Sequence, residues 1–132
     1  MKNILFIIII GAFIISCKKP KEKDFEKNII NESSFWSLKA LSNNKVEFLG
    51  QNFIFKKDKT YIYYQSFTEA HIGSEIFDLH TKEVTKWDFK NNELRLEGND
   101  LHLIFKVINY TTDTIWLNNS NFNYILIRKS HY

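Results

Sequence analysis

From Phe35 onward the apolar residues recur at every second position, in short runs broken by Asn, Asp, Gly and Lys. A chain with that period places successive side chains on opposite sides of an extended backbone, so each run is a strand with one face for a core. Glu93–Glu97 is the cleanest case: Leu94 and Leu96 fall on one face, and Glu93, Arg95 and Glu97 on the other. The same reading predicts strands at 35–40, at 46–49 continuing into 52–56, and at 60–65. Further strands are predicted at 75–81, 85–89, 93–97, 101–110, 114–117 and 122–129. Lys57-Asp58-Lys59, Asn91-Asn92 and Gly98-Asn99-Asp100 supply turns, because Asn, Asp and Gly tolerate left-handed backbone. No stretch after Phe35 carries a sustained helical stripe. Strands joined by tight sequential hairpins form a meander, and a meander of this length closes on itself to remove exposed edges. The expected fold is therefore all-β: one antiparallel up-and-down barrel of eight to nine strands, spanning residues 35–132.

Composition agrees with one domain. The chain has 132 residues, 44% of them apolar and 16% aromatic, with only one Pro and four Gly, so it has material for a core and no low-complexity character. A formal charge of +3 is too small to imply nucleic-acid binding. A single cysteine excludes an intrachain disulfide framework and any multi-cysteine metal site.

The placement of that cysteine carries information. The chain opens with Lys2 and then an apolar run from Ile4 to Ile15. Twelve residues of helix reach roughly 18 Å, against a bilayer core of about 30 Å, so the run is a secretory signal rather than a membrane span. It ends in Ile14-Ile15-Ser16-Cys17, which resembles the bacterial lipobox, where an aliphatic residue, a tolerant position and a small residue precede a cysteine. The resemblance implies cleavage after residue 16 and acylation of Cys17, which becomes the mature N-terminus held in a membrane by its lipid. The expected organisation is a signal peptide at 1–16, the lipidated Cys17 with a flexible tether at 17–34, and the barrel at 35–132. The tether sequence KKPKEKDFEKNIINESS is charged and holds the only proline. Within it, Phe25, Ile29 and Ile30 have the spacing of a short helical turn that packs on the domain.

The order of several pieces resembles the lipocalin-like domains of small bacterial lipoproteins. These are a Trp in the first strand (FWSLKAL), an aromatic hairpin with a charged turn (FIFKKDKTYIYY), and a Trp strand running into an apolar hairpin (KWDFKNNELRLEG). The TTDTIWL strand and a last strand ending in Arg-Lys (FNYILIRK) complete the set. The resemblance implies a barrel with one end plugged by a first-strand Trp beneath a last-strand Arg, here Trp36 and Arg128. This chain departs from the lipocalin pattern in having Ser34 where a Gly stands two residues before the Trp.

No catalytic constellation is expected. His71, His80, His102 and His131 have no metal-ligand spacing, no serine lies in a nucleophile elbow, and there is no phosphate-binding loop. The chain is read as a non-enzyme without metal or cofactor. An eight-stranded barrel is just wide enough to be filled by side chains or to hold one small ligand. The candidate lining of a ligand cup is Tyr61, Tyr63, Trp87, His102, Tyr110 and Tyr124, aromatic bodies with polar tips suited to an apolar or amphipathic molecule. The competing expectation is a filled barrel that engages another envelope protein through an outer face or through the stretch 65–74. Either way the expected location is the cell envelope, anchored at the outer membrane.

Overall fold

The structure is a computed structural model that describes residues 21–30, 33–43, 45–66, 77–78, 84–98 and 101–130. The expected signal segment, Cys17, most of the stretch 65–74 and His71, His80 and His131 lie outside the described residues. Among the described residues one helix, α1 (Glu22–Ile29), precedes nine strands. They are β1 (Ser34–Ser42), β2 (Lys45–Phe55), β3 (Tyr61–Gln65), β4 (Phe77–Asp78), β5 (Lys86–Lys90), β6 (Glu93–Gly98), β7 (Leu101–Tyr110), β8 (Thr114–Asn119) and β9 (Phe122–Ser130).

All pairings are antiparallel, and the sheet runs β4-β3-β2-β1-β9-β8-β7-β6-β5. The first and last strands of the chain are thus neighbours, with Trp36 opposite Arg128 and Leu38 opposite Leu126. β4 has only two residues, so eight strands form the wall of a nearly closed up-and-down barrel. The remaining seam lies between β3 and β5. Trp87 bridges it twice: its backbone N–H donates to the Lys59 carbonyl (2.8 Å) and its Nε1–H to the Lys56 carbonyl (3.0 Å). Thr85 adds a side-chain clasp, donating from Oγ1 to the Tyr61 carbonyl while accepting from the Tyr61 N–H.

Turn chemistry explains the hairpins. Asn91 and Asn92 both have positive φ (53° and 61°) between the paired Lys90 and Glu93, a two-residue turn whose twist matches the flanking strands. In the β2–β3 turn Asp58 Oδ1 accepts from the Thr60 N–H (3.0 Å) and from its hydroxyl (2.6 Å). Those bonds hold the Asp58 carboxyl below its ordinary pKa. The β1–β2 register slips between Leu38 and Lys39, and the bulge lies at Leu49–Gly50. Gly50 has φ +71°, and a Cβ there would sit 2.4 Å from the Ser66 carbonyl oxygen, so only glycine fits.

The core is the barrel interior. Trp36, Leu38, Phe53, Phe55, Tyr61, Trp87, Phe89, Leu94, Leu96, Ile115 and Leu117 are all buried in one cluster, and each comes from the inward-facing set of its strand. The outside of the wall is divided. Over β5–β7 it carries Lys86, Asp88, Lys90, Arg95, Glu97, His102 and Lys106, all exposed. Over β1, β2, β3 and β9 it carries Phe35, Tyr64 and Ile125, buried, with Ile54, Ile62 and Ile127 half-buried.

Candidate functional site

The two ends of the barrel are built differently. One end is closed by α1. An eight-residue helix is marginal by itself in water, and Lys21 at its N-cap makes no side-chain capping bond. Burial holds it instead. Phe25 and Ile29, one turn apart, are fully buried in the barrel cluster. Phe25 stacks on Phe89 with ring centroids 3.9 Å apart and meets Tyr110 edge-on at 5.4 Å.

Polar contacts fix the helix to the surrounding strands and turns. Trp36, fully buried, donates its indole N–H to the Ile29 carbonyl (2.9 Å). The Arg128 guanidinium lies over the Trp36 ring, 4.6 Å from its centroid, and donates to the Asn28 carbonyl. Burial lowers the Arg128 pKa, and Asp113 works against that shift. Asn28 donates to the Thr111 carbonyl (2.9 Å), and Glu22 accepts from the Asn91 N–H (3.2 Å). Lys59 adopts φ +68° in the β2–β3 turn, pairs with Glu26 and lies 4.2 Å from the centroid of the Trp87 ring. The contacts reach α1 from β1, from β9 and from the β2–β3, β5–β6 and β7–β8 turns, so the helix is seated around its circumference.

Among the described residues no element closes the far end. There the inward-facing positions become progressively less covered: Phe105 is buried, whereas Leu103, Leu101 and Tyr124 are half-buried although they face the interior. Tyr124 meets Phe105 edge-on at 5.5 Å. Tyr63 is buried, and its hydroxyl accepts from Gln65 Nε2 (3.0 Å). Toward this end, which we call the mouth, the described residues leave partly covered apolar surface with a few polar tips above a packed floor.

The six candidate cup residues do not gather at one place. Tyr63 and Tyr124 stand toward the mouth. Tyr61 and Trp87 belong to the packed layer and the seam. Tyr61 donates its hydroxyl to the Gly98 carbonyl (3.2 Å), and burial pushes its phenol pKa up to about 12. Tyr110 packs against α1 at the closed end. His102 points outward: its side chain is 72% exposed, with Nδ1 3.9 Å from the Glu97 carboxylate. The reason is parity, since Leu101, Leu103, Phe105 and Val107 take the inward positions of β7. Trp36 and Arg128 meet as expected from the plug.

Sequence reasoning missed Glu26, Asn28 and Lys59 as parts of the plug. Their signal was the Phe25/Ile29 spacing, set in a segment whose charge reads as solvated. It also missed an outer groove of about 350 Å³ between Leu41, Ile108, Trp116 and Asn123, beside the β7 bulge at Ile108. A second groove of about 480 Å³ crosses the charged side at the seam, between Lys59, Lys86, Trp87, Asp88 and Arg95. Comparison of the chain with protein families, curated proteins and solved structures finds no match.

Proposed function

We propose that this chain is a lipid-anchored protein of the cell envelope, lipocalin-like in design, that binds a small apolar or amphipathic molecule at the mouth of its barrel. The supporting observation is the gradient of burial along the barrel axis. Phe25, Ile29, Trp36 and Phe89 at the closed end are 2% exposed or less, while Leu101, Leu103 and Tyr124 at the far end face inward and remain partly uncovered. An inward-facing apolar surface in contact with water gains free energy when a ligand covers it. The tyrosine hydroxyls and Gln65 at the rim suit the polar end of an amphipathic molecule. The packed floor limits the occupant to a short chain or a single ring system, because Phe105, Leu96 and Leu117 already fill the space beneath.

The anchoring half of the reading rests on the lipobox-like Ile14-Ile15-Ser16-Cys17. Cys17→Ser is expected to abolish acylation and release the protein from membranes. Normal processing and retention of that variant would refute the lipoprotein reading. The binding half is tested by native mass spectrometry of the mature protein extracted gently from its host. A bound mass that is lost on denaturation, and lost also in a Leu103→Trp variant that fills the mouth, is the expected result. A ligand-free mass under conditions that preserve the fold argues for the second reading.

That second reading is a protein-interaction module, favoured by the apolar groove beside Trp116. Leu41, Ile108 and Trp116 form its walls on the outside of the barrel, where Ile108 is 55% exposed. Exposed apolar surface of this kind marks contact sites.

A further inference from the structure

We infer that the α1-plugged end of the barrel faces the bilayer and that the ligand mouth points away from it, the contact being made by the lysine row of α1 on an anionic lipid surface. The inference rests on the anchoring reading above and goes beyond it, because it assigns an orientation and a membrane-facing surface.

The first argument is reach. If the whole stretch from Cys17 to Ser34 were flexible coil, its ends would lie roughly 25 Å apart on average, and the barrel would tumble freely above the membrane. The chain is instead taken up at Lys21, the residue before α1, and α1 is fastened into the barrel end by Phe25, Ile29, Trp36 and Arg128. Only residues 18–20 separate the acylated residue from that point. Four residue steps span at most about 14 Å even when fully extended, so the closed end cannot move far from the headgroups. β9 places its Phe122 end and its Arg128 end roughly 20 Å apart at about 3.4 Å per residue, which sets the mouth at the distal side.

The second argument is charge. α1 turns Phe25 and Ile29 inward, so the opposite side of the helix is the row Lys23 and Lys27, four apart and both exposed. Lys18, Lys19 and Lys21 lead into the helix, Lys57 is exposed on the β2–β3 turn, and Lys90 is exposed at the end of β5, opposite Glu93. The acids at this end are partly engaged: Glu26 pairs with Lys59, and Glu22 accepts from the Asn91 N–H. Asp24, Asp58 and Asp113 stay exposed and dilute the field. The lysines outnumber them, so this end suits the anionic headgroups of a bilayer at close range.

The experiment uses the full acylated protein in phosphatidylethanolamine–phosphatidylglycerol vesicles that carry a nitroxide on the headgroup. A single fluorophore is attached at Lys57→Cys, beside the plug, or at Asn121→Cys, on the β8–β9 turn at the mouth. Both positions are exposed. The expected result is co-flotation of both proteins with the vesicles and quenching several-fold stronger at position 57 than at 121. Co-flotation with equal quenching, or with stronger quenching at 121, overturns the orientation alone. Failure to float with the vesicles overturns the anchoring reading and the orientation with it. A Lys23→Glu/Lys27→Glu variant sharpens the charge argument: it is expected to stay bound through its lipid while losing much of the difference between the two labels. An unchanged difference in that variant would remove the lysine row from the account.

Discussion

At the α1 end of the barrel Phe25, Ile29, Trp36 and Phe89 are fully covered, and the side chains that cover them come from distant parts of the chain. Phe25 stacks on Phe89, Trp36 bonds to the Ile29 carbonyl, and Arg128 bonds to the Asn28 carbonyl one hundred residues away. At the mouth, Leu101, Leu103 and Tyr124 face the same interior but are only half covered. Both ends belong to the same sheet and obey the same alternation. Among the described residues the difference lies in one eight-residue segment that supplies a lid of side chains to one end. A strand pattern specifies which residues point inward, whereas how deeply they are buried depends on what is placed over the end of the barrel.

Substitutions separate the two ends. Trp36→Ala carries the largest expected effect, because it removes a fully buried indole, its bond to α1 and the surface under Arg128. A loss of about 3–5 kcal/mol is expected from urea denaturation, the range of large aromatic truncations in cores. A melting midpoint equal to that of the parent would mean that this end is not packed. Phe25→Ala is expected to lose about 3 kcal/mol or more by the same measurement. A residue in a free tether would lose nothing, so this variant weighs the plug against a tether directly. Leu103→Ala, at the half-covered mouth, is expected to lose only about 1 kcal/mol, since less apolar area returns to water. A loss as large as that of Phe25→Ala would show that the mouth is as well packed as the floor, and the contrast between the ends would collapse.

A further effect appears only in alkali. The Tyr61 phenol is pushed up to about 12 by burial, above the unfolded value near 10. A raised folded pKa contributes stability that is fully present below pH about 10 and is lost as pH rises through about 12, because the unfolded state releases its proton first. Tyr61→Phe is expected to lessen that alkaline decline, to which the buried Tyr64 phenol, also raised, contributes as well, without altering the neutral-pH fold. A decline of the same steepness in Tyr61→Phe would assign it to other groups.

Much of the fold was legible in the sequence. Eight strands fall within two residues or so of the positions expected from alternation, and the two-residue Asn turn has both residues at positive φ. Trp36 and Arg128 meet as the lipocalin-like order implied. Legibility failed where local chemistry and tertiary placement disagree. Lys21–Ile30 was legible only in part: its charge reads as solvated, whereas the spacing of Phe25, Ile29 and Ile30 reads as a helical turn on the domain, and Phe25 and Ile29 do seat it. His102 carries a plausible ligand-binding side chain, but its parity on β7 sends it outward. The register slips at Leu49–Gly50 and at Ile108 left no trace in the alternation strong enough to read, although the Gly50 backbone requires glycine. The candidate mouth was only half legible. Tyr63 and Tyr124 belong to it, while Tyr61 and Trp87 serve the packed layer and the seam, and Tyr110 packs against α1 at the other end.

Hydrogen exchange of the α1 amides tests the central contrast most directly. The Phe25 N–H bonds to the Lys21 carbonyl (3.0 Å) and the Ile30 N–H to the Glu26 carbonyl (3.2 Å), and both lie on a helix locked into the barrel. The account predicts that these amides exchange with the same free energy of opening as the core strands β1 and β9, because the helix leaves only when the barrel unfolds. Exchange of α1 at the rate of an unstructured peptide, with β1 and β9 still protected, would show that the segment is a tether after all and that the barrel closes without it.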